Sequence, residues 1–323
     1  MPVSHHEELH GLPVFDFPAP GETGRRSVLP PAADVAWRIC VDSYQDDGER
    51  LEWEEEFARF LDTVDASAVR ALIVGAWRDP YERGSETVVA ALTAAADRLP
   101  ALRALFIGDM EAEQCEISWI TQSRVTPVLD AFPELLEFRV RGSDSLEFPA
   151  VRHARLRTLA IESGGLDAGV VRGVAASDLP ALETLDLWLG TSWYGATSGV
   201  ADLEPFLTGV RLPALRHLAL RNSEIQDRIA AALAGAPVVA RLERLDLSMG
   251  TLGDEGAEAL LNGQPLTHLT SLDLSHHYLG RPMMERLTTV FGGTGVELDL
   301  SDAQIDNPWW DSEEESRYTA VGE

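Results

Sequence analysis

The stretch His6-Glu7-Glu8-Leu9-His10 spells H-E-x-x-H. On a helix that spacing places two imidazoles one turn apart, where they bind zinc while the glutamate activates water. The surroundings argue against that chemistry. Gly11 and Pro13 end any helix within a residue or two, whereas the zinc pair needs a long buried helix and a third ligand nearby. A chance match in a polar terminus is the expectation, with adventitious metal binding by His5, His6 and His10 the more reasonable outcome, and no catalytic residue, metal or cofactor is assigned. The sequence contains no G-x-x-x-x-G-K-[ST] phosphate loop, no G-x-S-x-G nucleophile elbow and no cysteine-rich metal spacing. His276-His277 reads as a solvated loop doublet. Carboxylates are so abundant that no pair is singled out for acid–base work.

The elements that must position any site announce themselves by repetition. Leu182-Glu183-Thr184-Leu185-Asp186-Leu187 returns as Leu215 to Leu220, Leu242 to Leu247 and Leu269 to Leu274, the L-x-x-L-x-L signature of leucine-rich repeats. Val69 to Gly75 reads almost letter for letter as Leu102 to Gly108, 33 positions on. Stepping outward gives ten strand positions: Ile39, Leu72, Leu105, Phe138, Leu159, Leu185, Leu218, Leu245, Leu272 and Leu298. Within each phrase the leucines alternate with other residues, as in a strand with one face in a core. Stretches such as Ser85 to Leu99 and Asp254 to Leu261 then switch to Ala and Leu at helical spacing. Each unit is too short to bury its apolar side alone, so neighbours must stack. The expected fold is an α/β leucine-rich-repeat solenoid, a right-handed β-α superhelix or horseshoe, with a concave parallel sheet of about ten strands and convex helices. The 21-residue step from Phe138 to Leu159 leaves no room for an ordinary helix and predicts an extended or irregular convex segment.

Leu252-Gly253-Asp254-Glu255-Gly256-Ala257-Glu258-Ala259-Leu260 resembles the helix entry of the ribonuclease-inhibitor-type repeat. Ile225 to Leu233 and Leu279 to Leu287 keep its spacing without its wording, and the earliest copies keep little beyond the strand. The opening Leu12-Pro13-Val14-Phe15-Asp16-Phe17-Pro18 is similar to the start of a bacterial leucine-rich-repeat family of unassigned function. That resemblance implies genes often placed beside radical-SAM and ATP-grasp enzymes, and hence a role in a biosynthetic or maturation system.

The register implies one solenoid over 35–306, preceded by an N-terminal cap over 1–34 built on Val14, Phe15 and Phe17. A C-terminal cap and acidic tail follow over 307–323, where Trp309 and Trp310 close the last repeat and the chain from Asp311 is expected to be disordered. Hydrophobic residues make up 45% of the 323, and no run approaches the roughly 20 apolar residues of a membrane span. Met1 to His10 lacks the basic and apolar regions of a signal peptide. Two cysteines make no disulfide framework, and Cys40 and Cys115 read as unpaired thiols, so a cytoplasmic location is expected. With 26 basic and 53 acidic residues the formal net charge is −27. Such a surface repels nucleic acids and anionic membranes and suits a protein or peptide of basic character.

Alternation across the strands sends Asp186, Asp246, Asp273 and Asp299 to the concave face in one column, with Trp188, Arg221, Ser248, Ser275 and Ser301 in the next. Strands about 4.8 Å apart make neighbouring aspartates repel unless a cation intervenes. Extra residues enter just after several strands, at Asp42 to Glu56, Gly75 to Ser85, Gly108 to Gln122 and Leu189 to Val200. They carry Tyr44, Trp53, Trp77, Tyr81, Trp119, Trp193 and Tyr194 along one edge, the residue types of which interface hot spots are made. The sequence therefore points to a non-enzymatic protein-binding scaffold using the concave acidic face and the aromatic edge. The competing reading is a hydrolase with its site in the aromatic insertions or at the N-terminal histidines.

Overall fold

A computed structural model describes residues 3–20, 29–42, 51–305 and 317–322. Twelve strands form one sheet in sequence order. They are β1 (Glu8–Leu9), β2 (Leu12–Asp16), β3 (Ala36–Ile39), β4 (Ala71–Val74), β5 (Ala104–Ile107), β6 (Glu137–Arg141), β7 (Thr158–Glu162), β8 (Thr184–Gly190), β9 (His217–Ser223), β10 (Arg244–Asp246), β11 (Ser271–Asp273) and β12 (Glu297–Asp299). All neighbours pair parallel except β1 with β2. The fold is the α/β leucine-rich-repeat solenoid that the repeats predict, with β3 to β12 at the ten expected places. One register differs. Trp37 pairs with Leu72, and Ile39 pairs with Val74, so an indole occupies the first position of the leucine column and Ile39 lies two residues further along the same face.

From Trp37 through Leu72, Leu105, Phe138, Leu159, Leu185, Leu218, Leu245 and Leu272, this column is almost fully buried. Each such side chain contributes about 1.5–3 kcal/mol relative to exposure, and a one-residue slip would turn the whole column to the other face. The convex side is covered by α1 (Trp53–Thr63), α2 (Glu86–Ala94), α3 (Pro127–Ala131), α4 (Ala168–Ala176), α5 (Val200–Thr208), α6 (Gln226–Leu233), α7 (Asp254–Asn262) and α8 (Arg281–Phe291). Between β6 and β7 there is no helix. Leu146 and Phe148 of that extended segment enter the core instead. The α4 backbone packs directly on it: a Cβ at Gly173 would lie 1.7 Å from the Phe148 carbonyl oxygen, so only glycine fits there.

The first and last described segments pack onto the sheet or its edge. His10 (φ 56°) and Gly11 (φ 71°) form the two-residue turn between β1 and β2, the left-handed pair that a tight hairpin requires. The segment expected to cap the solenoid thus contributes two strands. Phe17 packs on Trp37 and Phe60 at the end of the core, and Phe15 meets Trp37 edge-on. Val14 joins a separate cluster on the concave side. At the other end, residues 317–322 are ordered, contrary to the disorder expected for the tail. The Ala320 N–H donates to the Met249 carbonyl at 2.8 Å, Asn222 exchanges two hydrogen bonds with the Val321 backbone, and the Ser118 hydroxyl donates to the Gly322 carbonyl. The expected cap residues Trp309 and Trp310 and the loop residue Tyr44 lie outside the described residues.

Candidate functional site

On the N-terminal half of the concave face, the side chains between the core residues are Ala36, Ala71, Ala104, Ile73 and Phe106, all fully buried. The β1–β2 hairpin covers them, laying Leu9 on this patch with Leu12 and Val14 alongside, a second apolar cluster apart from the main core. His6 meets Phe106 edge-on at 4.9 Å, and its Nε2 lies 3.1 Å from the Glu162 carboxylate.

Around this contact lies a buried charge network. Arg141 donates from Nε to Glu162 at 2.8 Å and pairs through Nη1 with Asp109 at 3.2 Å. Its Nη1 also reaches the carbonyls of Met110 and of Ser4, in the segment leading into β1. Arg38 spans Asp16 and Asp109 and donates to the His6 carbonyl. His5 lies 3.5 Å from Asp109. Burial opposes ionisation of Glu162, yet the charge of Arg141 and the contact with His6 outweigh it and draw the carboxyl down to about 2. Asp109 behaves alike: burial raises it, and His5, Arg141 and Arg38 together hold it below its ordinary value.

The H-E-x-x-H histidines therefore serve different partners. His6 faces Glu162, while His10 Nδ1 lies 3.5 Å from Glu137. His6 precedes β1 and His10 lies in the β1–β2 turn, so they do not share one helical face. Among the described residues, no three His, Cys, Asp or Glu side chains are grouped to hold a metal.

The C-terminal half of the face lies beyond the hairpin. Asp186 and Arg221 form a two-point ion pair, Nε to Oδ1 at 3.0 Å and Nη2 to Oδ2 at 2.6 Å. Arg221 also lies 3.4 Å from Asp246 and 5.1 Å over the Trp188 ring. It is the cation that the aspartate column requires at its first two members. The Trp188 indole N–H has no hydrogen-bond partner among the described residues. Asp246 sits beside Asp273 in the ladder. Burial, opposed by Arg221 and Ser248 and reinforced by the Asp273 charge, lifts the Asp246 carboxyl to about 6.

The L-D-L-S wording has a local role as well. Asp246, Asp273 and Asp299 accept the backbone N–H of Ser248, Ser275 and Ser301, two residues on, closing the turn that ends each strand. Met249, His276 and Asp302 continue that turn at positive φ. A hollow of about 350 Å³ separates the two halves, lined by Glu8, His10, Glu137, Arg139, Asp186 and His217 among others. Burial lowers the His217 imidazole, outweighing the pull of Asp186.

The aromatic insertions divide. Trp53 and Trp77 are buried, their indole N–H groups bonded to the carbonyls of Ile39 and Arg83, so Trp77 is no surface anchor. Trp193 is 86% exposed. Tyr194 is half-buried and lies beside Gly322. Tyr81 and Trp119, from successive repeats, meet at 5.4 Å. The loop doublet is also buried: His277 accepts from the Leu279 N–H and faces the Leu300 carbonyl, and His276 lies between Asp302 and the Tyr318 carbonyl. Sequence reasoning missed Arg38, Asp109, Arg141 and Glu162. Their one signal was the charge of Arg141 and Glu162, each placed directly after the strand's apolar residue.

A family model described as "Leucine Rich repeat" matches residues 242–261 and 266–280. No curated protein matches the chain. A crystal structure of a Bacteroides fragilis protein from a structural genomics programme is 28% identical, with a TM-score of 0.77, over 84% of this chain and 76% of that one. The matched repeats, the strand ladder and this likeness agree on an α/β leucine-rich-repeat solenoid fold.

Proposed function

We propose that this protein is a non-enzymatic scaffold that holds a protein or peptide of basic character on the C-terminal half of its concave face. Leucine-rich repeats are commonly protein-interaction scaffolds, and that supports the class of function. The observation that carries the location is the contrast within one sheet: the hairpin covers the first half, while Asp246, Asp273 and Asp299 lie beyond it, half-buried at Asp246 and Asp273 and exposed at Asp299, with Arg221 against the first of them only. A bound lysine or arginine would relieve the repulsion between these neighbours. Ser248 and Ser275 flank that column, and Trp193 with Tyr194 would extend contact to the edge.

A hydrolase reading gains nothing from the histidines, which are taken up in carboxylate pairs. A cytoplasmic setting and a partner that is a maturation or biosynthetic enzyme, or its substrate, belong to the same proposal. No described helix is long and apolar enough to cross a membrane, and the net charge of −27 disfavours nucleic acid.

The test is affinity capture from native extract with wild type and with Asp246→Asn/Asp273→Asn/Asp299→Asn, both checked by circular dichroism. A basic protein held by wild type, released by salt and lost from the folded variant supports the reading. Recovery of the same proteins by both baits removes the column from the binding surface.

A further inference from the structure

The edge loops after β4 and β5 enclose a hollow of about 630 Å³ lined by Asp79, Tyr81, Glu82, Cys115, Glu116 and Trp119, among others. Its rings are unusual for their size in remaining open, Tyr81 at 58% and Trp119 at 44% exposure. They lean together, centroids 5.4 Å apart and planes at 43°, so each keeps a face toward solvent.

Both loops are held in place. Asp79 takes φ 52°, and its carbonyl accepts the N–H groups of Glu82 and Arg83, fixing the turn that presents Tyr81. Thr121 ties the loops together, its N–H donating to the Pro80 carbonyl at 2.8 Å and its hydroxyl to the Tyr81 carbonyl at 3.0 Å. Trp119 ends a single 3-10 turn over Ile117–Trp119, and its N–H donates to the Glu116 carbonyl at 2.9 Å. Ring positions set by backbone hydrogen bonds need little ordering when a ligand arrives.

Charge completes the picture. Asp79 is shared with Arg78 at 3.3 Å, whereas no salt bridge among the described residues involves Glu82 or Glu116. The field of Glu116 reaches the floor of the hollow: burial, then this carboxylate, push the Cys115 thiol up to about 11, so the sulfur is neutral. An aromatic pair, a neutral floor and two unneutralised carboxylates suit a cation with an apolar stem, which loses hydration over the rings and regains it as charge pairing.

We infer that this hollow is a recognition pocket for one basic side chain, lysine or arginine, of a partner protein. The pocket deepens the scaffold reading in taking a protein as the source of the cation, but its chemistry can be tested without that protein.

The experiment follows the Trp119 indole N–H by 1H–15N NMR in the full-length chain, titrated with Nα-acetyl-lysine amide, Nα-acetyl-arginine amide and Nα-acetyl-norleucine amide. The indole signal is assigned from its loss in Trp119→Phe. The cationic probes should shift it with Kd on the order of millimolar, the ring contact, the pairing with Glu82 and Glu116 and the burial of the apolar stem acting together. Norleucine amide should bind at least tenfold more weakly. Glu82→Gln/Glu116→Gln, which leaves both rings and the fold in place, should weaken the cationic probes several-fold and leave norleucine unchanged. Equal binding of norleucine, an unmoved indole, or unaltered affinity in the double variant each overturns the inference. Binding of the amides together with failure of the capture experiment would retain the pocket and discard the concave-face reading alone.

Discussion

The two halves of the concave face meet charge in opposite ways. In the first half, two arginines and two carboxylates are sealed beneath the chain's own hairpin, and Arg141 is 2% exposed. In the second, a column of aspartates shares one arginine and passes from buried Asp186 through half-buried Asp246 and Asp273 to exposed Asp299. Burial makes charges interact strongly and makes an unpaired one costly, so the sealed network must be complete within the molecule. The aspartate column need not be, because water covers its shortfall until a partner does. Completeness thus distinguishes a structural network from a surface awaiting a ligand.

The largest expected effect breaks the sealed half. Arg141→Met leaves Glu162 buried without its arginine and Asp109 with Arg38 and His5 alone, and a loss of about 3–5 kcal/mol in urea unfolding is expected. Arg221→Met, in the second half, should cost less, about 1–3 kcal/mol, since the Asp186 and Asp246 side chains keep 12% and 13% exposure against 3% and 0% for Glu162 and Asp109. Equal losses would erase the distinction between the halves.

Acid titration sharpens it further. The Glu162 carboxyl lies near 2 in the folded protein, against 4.5 as its reference value. The folded state therefore binds its proton less readily than the unfolded chain. Its contribution, on the order of 3 kcal/mol, is fully present above pH 4.5 and is lost as pH falls toward 2. Asp246 has the opposite sign, its carboxyl raised to about 6 from 3.8. Ionising it costs stability as pH rises from 3.8 through 6, so Asp246→Asn should stabilise the protein at pH 7 by about 1–2 kcal/mol, after allowance for its weakened contact with Arg221, and change little below pH 4. Stability profiles of Glu162→Gln and Asp246→Asn that run parallel to wild type would contradict both assignments.

Leu9→Ala probes the seal itself. Leu9 is 2% exposed, and its truncation should cost about 2–3 kcal/mol while raising hydrogen exchange in the hairpin and leaving β10 to β12 protected as before. Uniform loss of protection would show that the hairpin supports the whole solenoid.

What could be read in advance follows the range of the interactions involved. The repeat spacing and the period of two are local, and they placed the strand column from Leu72 to Leu298. The first repeat escaped by two residues because Trp37 fills a position that elsewhere holds leucine, and Ile39 offered a more familiar anchor. The hairpin's role was hidden for a different reason. No local pattern tells that residue 6 will meet Phe106 and Glu162, and a charged residue after an apolar strand position reads as hydrated until something covers it. The Trp53 and Trp77 indoles turned inward because each has a backbone carbonyl within reach, which the spacing of aromatic residues does not reveal. The same holds for His276 and His277.

Trp193→Ala carries the smallest expected effect and separates stability from binding most cleanly. With 86% of its surface exposed and a place in a single 3-10 turn over Ser192–Tyr194, the ring contributes little to the fold, and a change within about 0.5 kcal/mol is expected. A tryptophan that serves as an interface hot spot costs at least about 2 kcal/mol of binding when lost, more than tenfold in affinity. Capture of the partner by Trp193→Ala should therefore weaken while its urea midpoint stays with wild type. Unchanged capture would confine the partner to the aspartate column, and a lowered midpoint would make Trp193 a fold residue despite its exposure.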